Sequence, residues 1–128
     1  MKHLILFAAV GLAVLFTRPA VATEMFGPGS RPCGDKSTTR DMVECLAAKT
    51  KAADQHLNAA YKDLLQRIDP EQAEPLKAAE RAWIQYRDAN CQFYSAHEGT
   101  ISQLLGAECM RALTVDRAAE LAKADKED

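Results

Sequence analysis

Four cysteines, Cys33, Cys45, Cys91 and Cys109, most narrow what this 128-residue chain can fold into. Their meaning depends on the compartment, which the first residues indicate. Lys2 supplies a positive charge, Leu4 to Phe16 run apolar and uncharged, and Ala20-Val21-Ala22 puts small residues where a signal peptidase reads. That is the three-part pattern of a secretory signal peptide, and the apolar run is shorter than the about 20 residues a spanning helix needs. Arg18 is unusual so near the cleavage point. No cysteine directly follows the apolar run to accept a lipid. Residues 1–22 are therefore expected to be a signal peptide and 23–128 one periplasmic or secreted domain, with no membrane anchor after cleavage. In a short exported chain an even cysteine count predicts two disulfides. Zinc is the rival, but the sequence has no Cys-x-x-Cys, and gaps of 12, 46 and 18 positions match no zinc module. No metal and no cofactor is expected.

Cleavage after Ala22 leaves 106 residues, enough for one modest core and small enough for cross-links to help it. The whole chain carries 16 basic and 18 acidic residues, and loss of Lys2 and Arg18 takes the domain to about −4. Such a domain lacks the clustered Lys and Arg that nucleic acid requires, so nucleic acid is not an expected partner.

The apolar spacing is helical throughout. Residues 23–37 hold glycines and prolines without a period, and form an irregular lead-in. Thr38-x-x-Asp41 then opens a helix whose stripe is Met42, Leu46, Ala53, Leu57, Ala60, Leu64 and Ile68, with Lys49 as a polar interruption. Asp69-Pro70 ends it near Ile68. A second helix is expected from Pro75, its inward stripe Leu76, Ala79, Trp83, Tyr86, Asn90 and Phe93. On that register Trp83 and Tyr86 are core residues, their polar atoms served by Asn90 or Thr114. His97-Glu98-Gly99 breaks this helix, and Thr100-x-x-Gln103 starts a third with Ile101, Leu104, Leu105, Ala112, Leu113 and Leu121 inward. The tail after Leu121 should fray. No segment alternates with period two and no repeat occurs. The predicted fold is all-α: a three-helix up-down bundle, possibly four helices with a short extra turn, stapled by two disulfides. Rise per residue puts Cys91 and Cys109 at similar heights on a hairpin around Gly99. Cys33 can fold back to Cys45, so the favoured pairs are Cys33–Cys45 and Cys91–Cys109.

Catalytic candidates are few. His56 suits a helix surface, and no metalloprotease, nucleophile-elbow or phosphate-loop motif is present. Glu80 and Asp88 lie two turns apart and could serve a glycosidase, yet a surface charge pattern accounts for them more simply. No enzyme is expected. Arg87, one turn from both Trp83 and Cys91, could meet Asn58, Tyr61 and Thr114 in a buried polar cluster that fixes helix packing or forms a ligand site.

Leu-Asn-x-x-Tyr at 57–61, Trp-x-x-Tyr-Arg-Asp-x-x-Cys at 83–91, Cys109 and Thr-x-x-Arg at 114–117 form an ordered set. It resembles the LprI-like lysozyme-inhibitor family from about Cys33 to Leu121. The resemblance implies an exported, disulfide-linked helical domain and, for the naming member, inhibition of lysozyme. The positions it carries over are Asn58, Tyr61, Trp83, Arg87, Asp88, Cys91, Cys109, Thr114 and Arg117. Glu80 departs from the glutamine common in the family, the "HEGT" loop has less glycine, and the naming member's lipid anchor is missing. An inhibitor of this kind is expected to plug the sugar cleft with its hairpin tip, Ser95, His97, Glu98, Thr100 and Ser102. Lysozyme's catalytic carboxylates would meet donors there. The competing expectation is an envelope or stress-related interaction domain that binds another envelope protein or a small ligand near Arg87 and Asn58.

Overall fold

The computed structural model describes residue 27 and residues 29–124, and the signal-peptide expectation lies outside them. They form four helices, α1 (Arg31–Gly34), α2 (Thr39–Arg67), α3 (Pro70–Ser95) and α4 (Thr100–Lys123), with no strand among the described residues. The all-α up-down bundle is thus the observed fold, α1 being the short extra turn. Both disulfides are those favoured by spacing, Cys33–Cys45 and Cys91–Cys109, with S–S distances of 2.04 and 2.07 Å.

Local chemistry sets the helix ends. Thr38 caps α2, its hydroxyl accepting from the Asp41 N–H at 3.1 Å. Ile68 and Asp69 are extended, and two residues suffice to reverse the chain. Pro70 therefore ends one helix and begins the next, with the Asp69 N–H donating to Gln72 Oε1 at 3.1 Å. The expected start at Pro75 is corrected: both prolines suit a first turn, and the earlier one takes it. Pro75 sits inside α3, where it leaves the Glu71 carbonyl without its helical donor on an exposed face. At the other turn Gly99, not Thr100, is the cap residue of α4, with φ +95°, a left-handed backbone that glycine adopts without strain.

Helix α4 is the centre of the bundle, packing on both α2 and α3, whereas α2 and α3 hardly touch. The α2 stripe behaves as expected: Leu46, Ala53, Leu57 and Leu64 are buried. Two small apolar clusters result. Cys33, Leu46 and Leu104 close one end, with Met42, Val43 and Ala107 around them. Leu57, Leu64 and Leu121 close the other, with Tyr61, Leu76 and Trp83. Gly106 lets α3 and α4 approach closely, since a Cβ there would stand 2.8 Å from Ser95 Cβ.

The predicted stripe on α3 holds only in part: Leu76 and Trp83 pack on the second cluster and Asn90 is half-buried, but Ala79, Tyr86 and Phe93 face out. Tyr86 is 57 % exposed and Phe93 64 %. The helix turns Glu80 and Cys91 inward instead, with Trp83 and Arg87 half-buried beside them. On α4, Ile101 is exposed, and the buried face takes in Ser102, Arg111, Thr114 and Arg117 beside its leucines.

Candidate functional site

Two surfaces follow from this packing. The first is the groove left where α2 and α3 diverge, about 410 Å³ in volume. Its α2 wall is Asp54, Leu57, Asn58 and Tyr61, and its α3 wall is Lys77, Glu80, Arg81, Trp83, Ile84 and Arg87. Asn58, Tyr61, Trp83 and Arg87 are thus brought to one place, but as groove walls rather than a bonded cluster. Asn58 is exposed and donates to the Asp54 carbonyl and carboxylate on its own helix, at 2.8 and 3.0 Å. Arg87 pairs with exposed Asp88 at 2.8 Å and lies over the Trp83 ring, 5.0 Å from its centroid. Thr114 stays apart: fully buried, it donates to the Met110 carbonyl of its own helix. Asn90 donates to Cys109 Sγ, and neither it nor Thr114 is hydrogen-bonded to the Trp83 indole.

Glu80, expected in a surface charge pattern, is 8 % exposed at the back of this groove. Its Oε2 accepts from Arg117 Nε at 3.0 Å, and Arg117 also donates to Glu120 at 2.7 Å. Burial works against the charge on Arg117, but the bonds to Glu120 and Glu80 outweigh it and raise its pKa. Glu80 Oε1 is buried without a hydrogen-bond partner. The partner of Glu80 lies 37 residues away on another helix, so helical period alone gave no sign of the pair. Both carboxylates whose spacing could serve acid–base work are engaged by arginine, Glu80 by Arg117 and Asp88 by Arg87.

The second surface is the tip of the α3–α4 hairpin, beside the Cys91–Cys109 bond. His97, Glu98 and Thr100 are exposed there, as expected, and so is Ser95, which donates to the Cys91 carbonyl at 2.9 Å. Ser102 is corrected: it is 2 % exposed and donates inward to the Gly99 carbonyl at 2.7 Å, tightening the turn. Residue spacing gave no sign of the neighbouring aromatic group. Phe93 contacts Tyr94 edge-to-face at 5.3 Å and His97 at 6.3 Å between ring centroids. With Phe93 and Tyr94 both exposed, this is an apolar ledge in water, and Tyr86 and Ile101 are exposed on the same two helices. Between Arg87 and Arg111 the chain has no lysine or arginine.

A buried clasp fastens the lead-in to α4 near the same end. Glu108 accepts from Arg111 at 2.6 and 2.7 Å, from the Ser30 hydroxyl at 2.8 Å and from the Gly27 N–H at 3.1 Å. Burial pushes the Glu108 carboxyl up, but bonds from Arg111, Ser30 and Gly27 prevail and hold it below its ordinary value. Among the described residues no group of three or more metal-binding side chains occurs, and no helix is long and apolar enough to cross a membrane.

Comparison with known proteins fits this architecture. Residues 31–121 match the family described as lysozyme inhibitor LprI. A curated relative, an uncharacterized protein of Rhizobium meliloti (strain 1021), is 31% identical over 128 residues, covering 88% of this chain and 89% of the relative. No solved structure matches.

Proposed function

Because the chain belongs to the LprI lysozyme-inhibitor family, we propose that it is an exported, non-enzymatic binding protein that inhibits a lysozyme through its α3–α4 hairpin tip. The observation that carries this reading is the ledge of Phe93, Tyr94 and His97 standing in solvent on a disulfide-linked hairpin. Exposed aromatic side chains contribute large contact area at low entropic cost, and they dominate many interfaces. A hairpin already fixed by a covalent bond loses little further freedom on docking. Donors from His97 and Thr100 would face the catalytic carboxylates of the sugar cleft. The lack of lysine and arginine between Arg87 and Arg111 suits a cationic partner. Export to the periplasm or beyond agrees with the disulfides.

The test is a muramidase assay with the oxidised protein against several lysozyme types. Inhibition is expected for at least one, and replacing His97, Glu98 and Thr100 together by alanine should raise the inhibition constant at least tenfold. Unchanged potency would remove the tip from the account. No inhibition of any lysozyme at micromolar concentration would leave the envelope interaction domain, with its site near Arg87 and Asn58 and not at the tip.

A further inference from the structure

The groove between α2 and α3 lies apart from the hairpin tip, and lysozyme inhibition does not call for it. We infer that it is a second binding site, for a short peptide ending in a free carboxylate. The inference does not depend on the lysozyme reading. At about 410 Å³ the groove is the size of a small-ligand pocket. Three cationic side chains line it, Lys77, Arg81 and Arg87, in a chain whose formal net charge is −2.

These cations are not equally engaged. Lys77 is tied to Glu74 at 2.8 Å and Arg87 to Asp88 at 2.8 Å, while Arg81 makes no close ion pair or hydrogen bond among the described residues and feels Glu74, already held by Lys77, only at longer range. A guanidinium with its planar fork uncommitted is the group best suited to take a carboxylate bidentately. Of the two carboxylates lining the groove, Glu80 is paired with Arg117, and the three cations outnumber the remaining Asp54.

A second observation points to a hydrogen-bond donor on the ligand. Glu80 lines the groove at 8 % exposure, and its Oε1 is the one buried side-chain oxygen without a partner among the described residues. Leaving such an acceptor unpaired is costly, and a donor that reaches it by displacing the side chains covering it would relieve it. A peptide C-terminus combines the three required parts: a carboxylate for Arg81, a backbone N–H for Glu80, and an apolar side chain for Leu57, Tyr61 and Ile84. A phosphate or simple fatty acid brings the anion without the amide donor.

Trp83, the chain's one tryptophan, lines the groove and reports on it directly. The experiment titrates the oxidised protein with N-acetyl-leucyl-phenylalanine, its C-terminal amide and a chitin trisaccharide, reading Trp83 fluorescence, with no lysozyme present. The free carboxylate is expected to give a saturable change, at least tenfold tighter than the amide. Arg81→Gln should abolish most of that preference; its exposed side chain makes no contact the fold needs, and circular dichroism checks that the fold persists. No saturable change with the peptide, equal binding of acid and amide, or saturation by the sugar alone would each overturn the inference. So would undiminished binding in Arg81→Gln. Lysozyme inhibition plays no part in the readout, so failure here leaves the tip untouched, and failure at the tip leaves the groove untouched.

Discussion

The two ends of the bundle solve the same problem by different means. Where α2 and α4 begin, the apolar cluster is small, only Cys33, Leu46 and Leu104 at its centre, and covalent and ionic ties reinforce it. Two disulfides and the Glu108–Arg111–Ser30 clasp hold that end. Where α2 meets α3 and α4 ends, no covalent bond is present among the described residues. Leu57, Leu64 and Leu121, with the Glu80–Arg117 pair, hold the helices together. The locked end carries the exposed aromatic ledge and the unlocked end carries the groove. In a domain with few buried apolar residues, cross-links replace core where a surface must stay rigid. Where α2 and α3 remain unlinked, space is left between them.

Cutting the locked end should have the largest effect. Each disulfide contributes about 3 kcal/mol by loop closure, so removing both by Cys-to-Ala substitution takes away much of the 5 to 15 kcal/mol typical of a domain. Denaturant unfolding should show the loss. Hydrogen exchange should show protection disappearing first at 31–50 and 91–110, with residues 57–68 last. Glu80→Ala attacks the other end. It leaves Arg117 buried with only Glu120, and should cost about 3 kcal/mol in the same measurement. Uniform loss of protection after either change would mean the two ends are not distinct.

The clasp gives a smaller, pH-dependent effect. A carboxyl whose pKa is lowered on folding stabilises the native state above its unfolded pKa, and that contribution is lost as pH falls through the lowered folded value. Stability should therefore decline on the acid side below about pH 4.3, the ordinary glutamate value. Glu108→Gln should remove about 2 kcal/mol at neutral pH and flatten this part of the profile, as read by thermal unfolding from pH 3 to 7. The smallest change in stability belongs to the ledge. Phe93→Ala with Tyr94→Ala should stay within about 0.5 kcal/mol of the parent, because neither ring is buried.

How far the sequence revealed this varies between helices. On α2 the inward face is apolar, so counting leucines at three- and four-residue steps located it. On α3 the inward face mixes Leu76 and Trp83 with Glu80, Arg87 and Cys91, so the same counting found the first two, passed over the polar half and drew in Tyr86 and Phe93, which face out. Cys91 held the correcting signal. Its disulfide partner Cys109 is on α4, so Cys91 must face α4. At 3.6 residues per turn Phe93 then points about 160° away from it, whereas Arg87 and Glu80 fall within about 40°. The tip was legible as a loop from His97-Glu98-Gly99, but the burial of Ser102 was not, since it depends on the hydroxyl turning back to Gly99. The groove itself was beyond reach, because it exists only through α2 and α3 both packing on α4.

The most direct test of recognition by the locked end is a backbone amide chemical-shift map of the oxidised, ¹⁵N-labelled protein titrated with a lysozyme it inhibits. Perturbations concentrated at Tyr86, Phe93 to Ile101 and the facing start of α4, with the groove residues silent, are the predicted result. Perturbations confined to Asn58, Tyr61, Trp83 and Arg87, with the aromatic ledge unmoved, would contradict it.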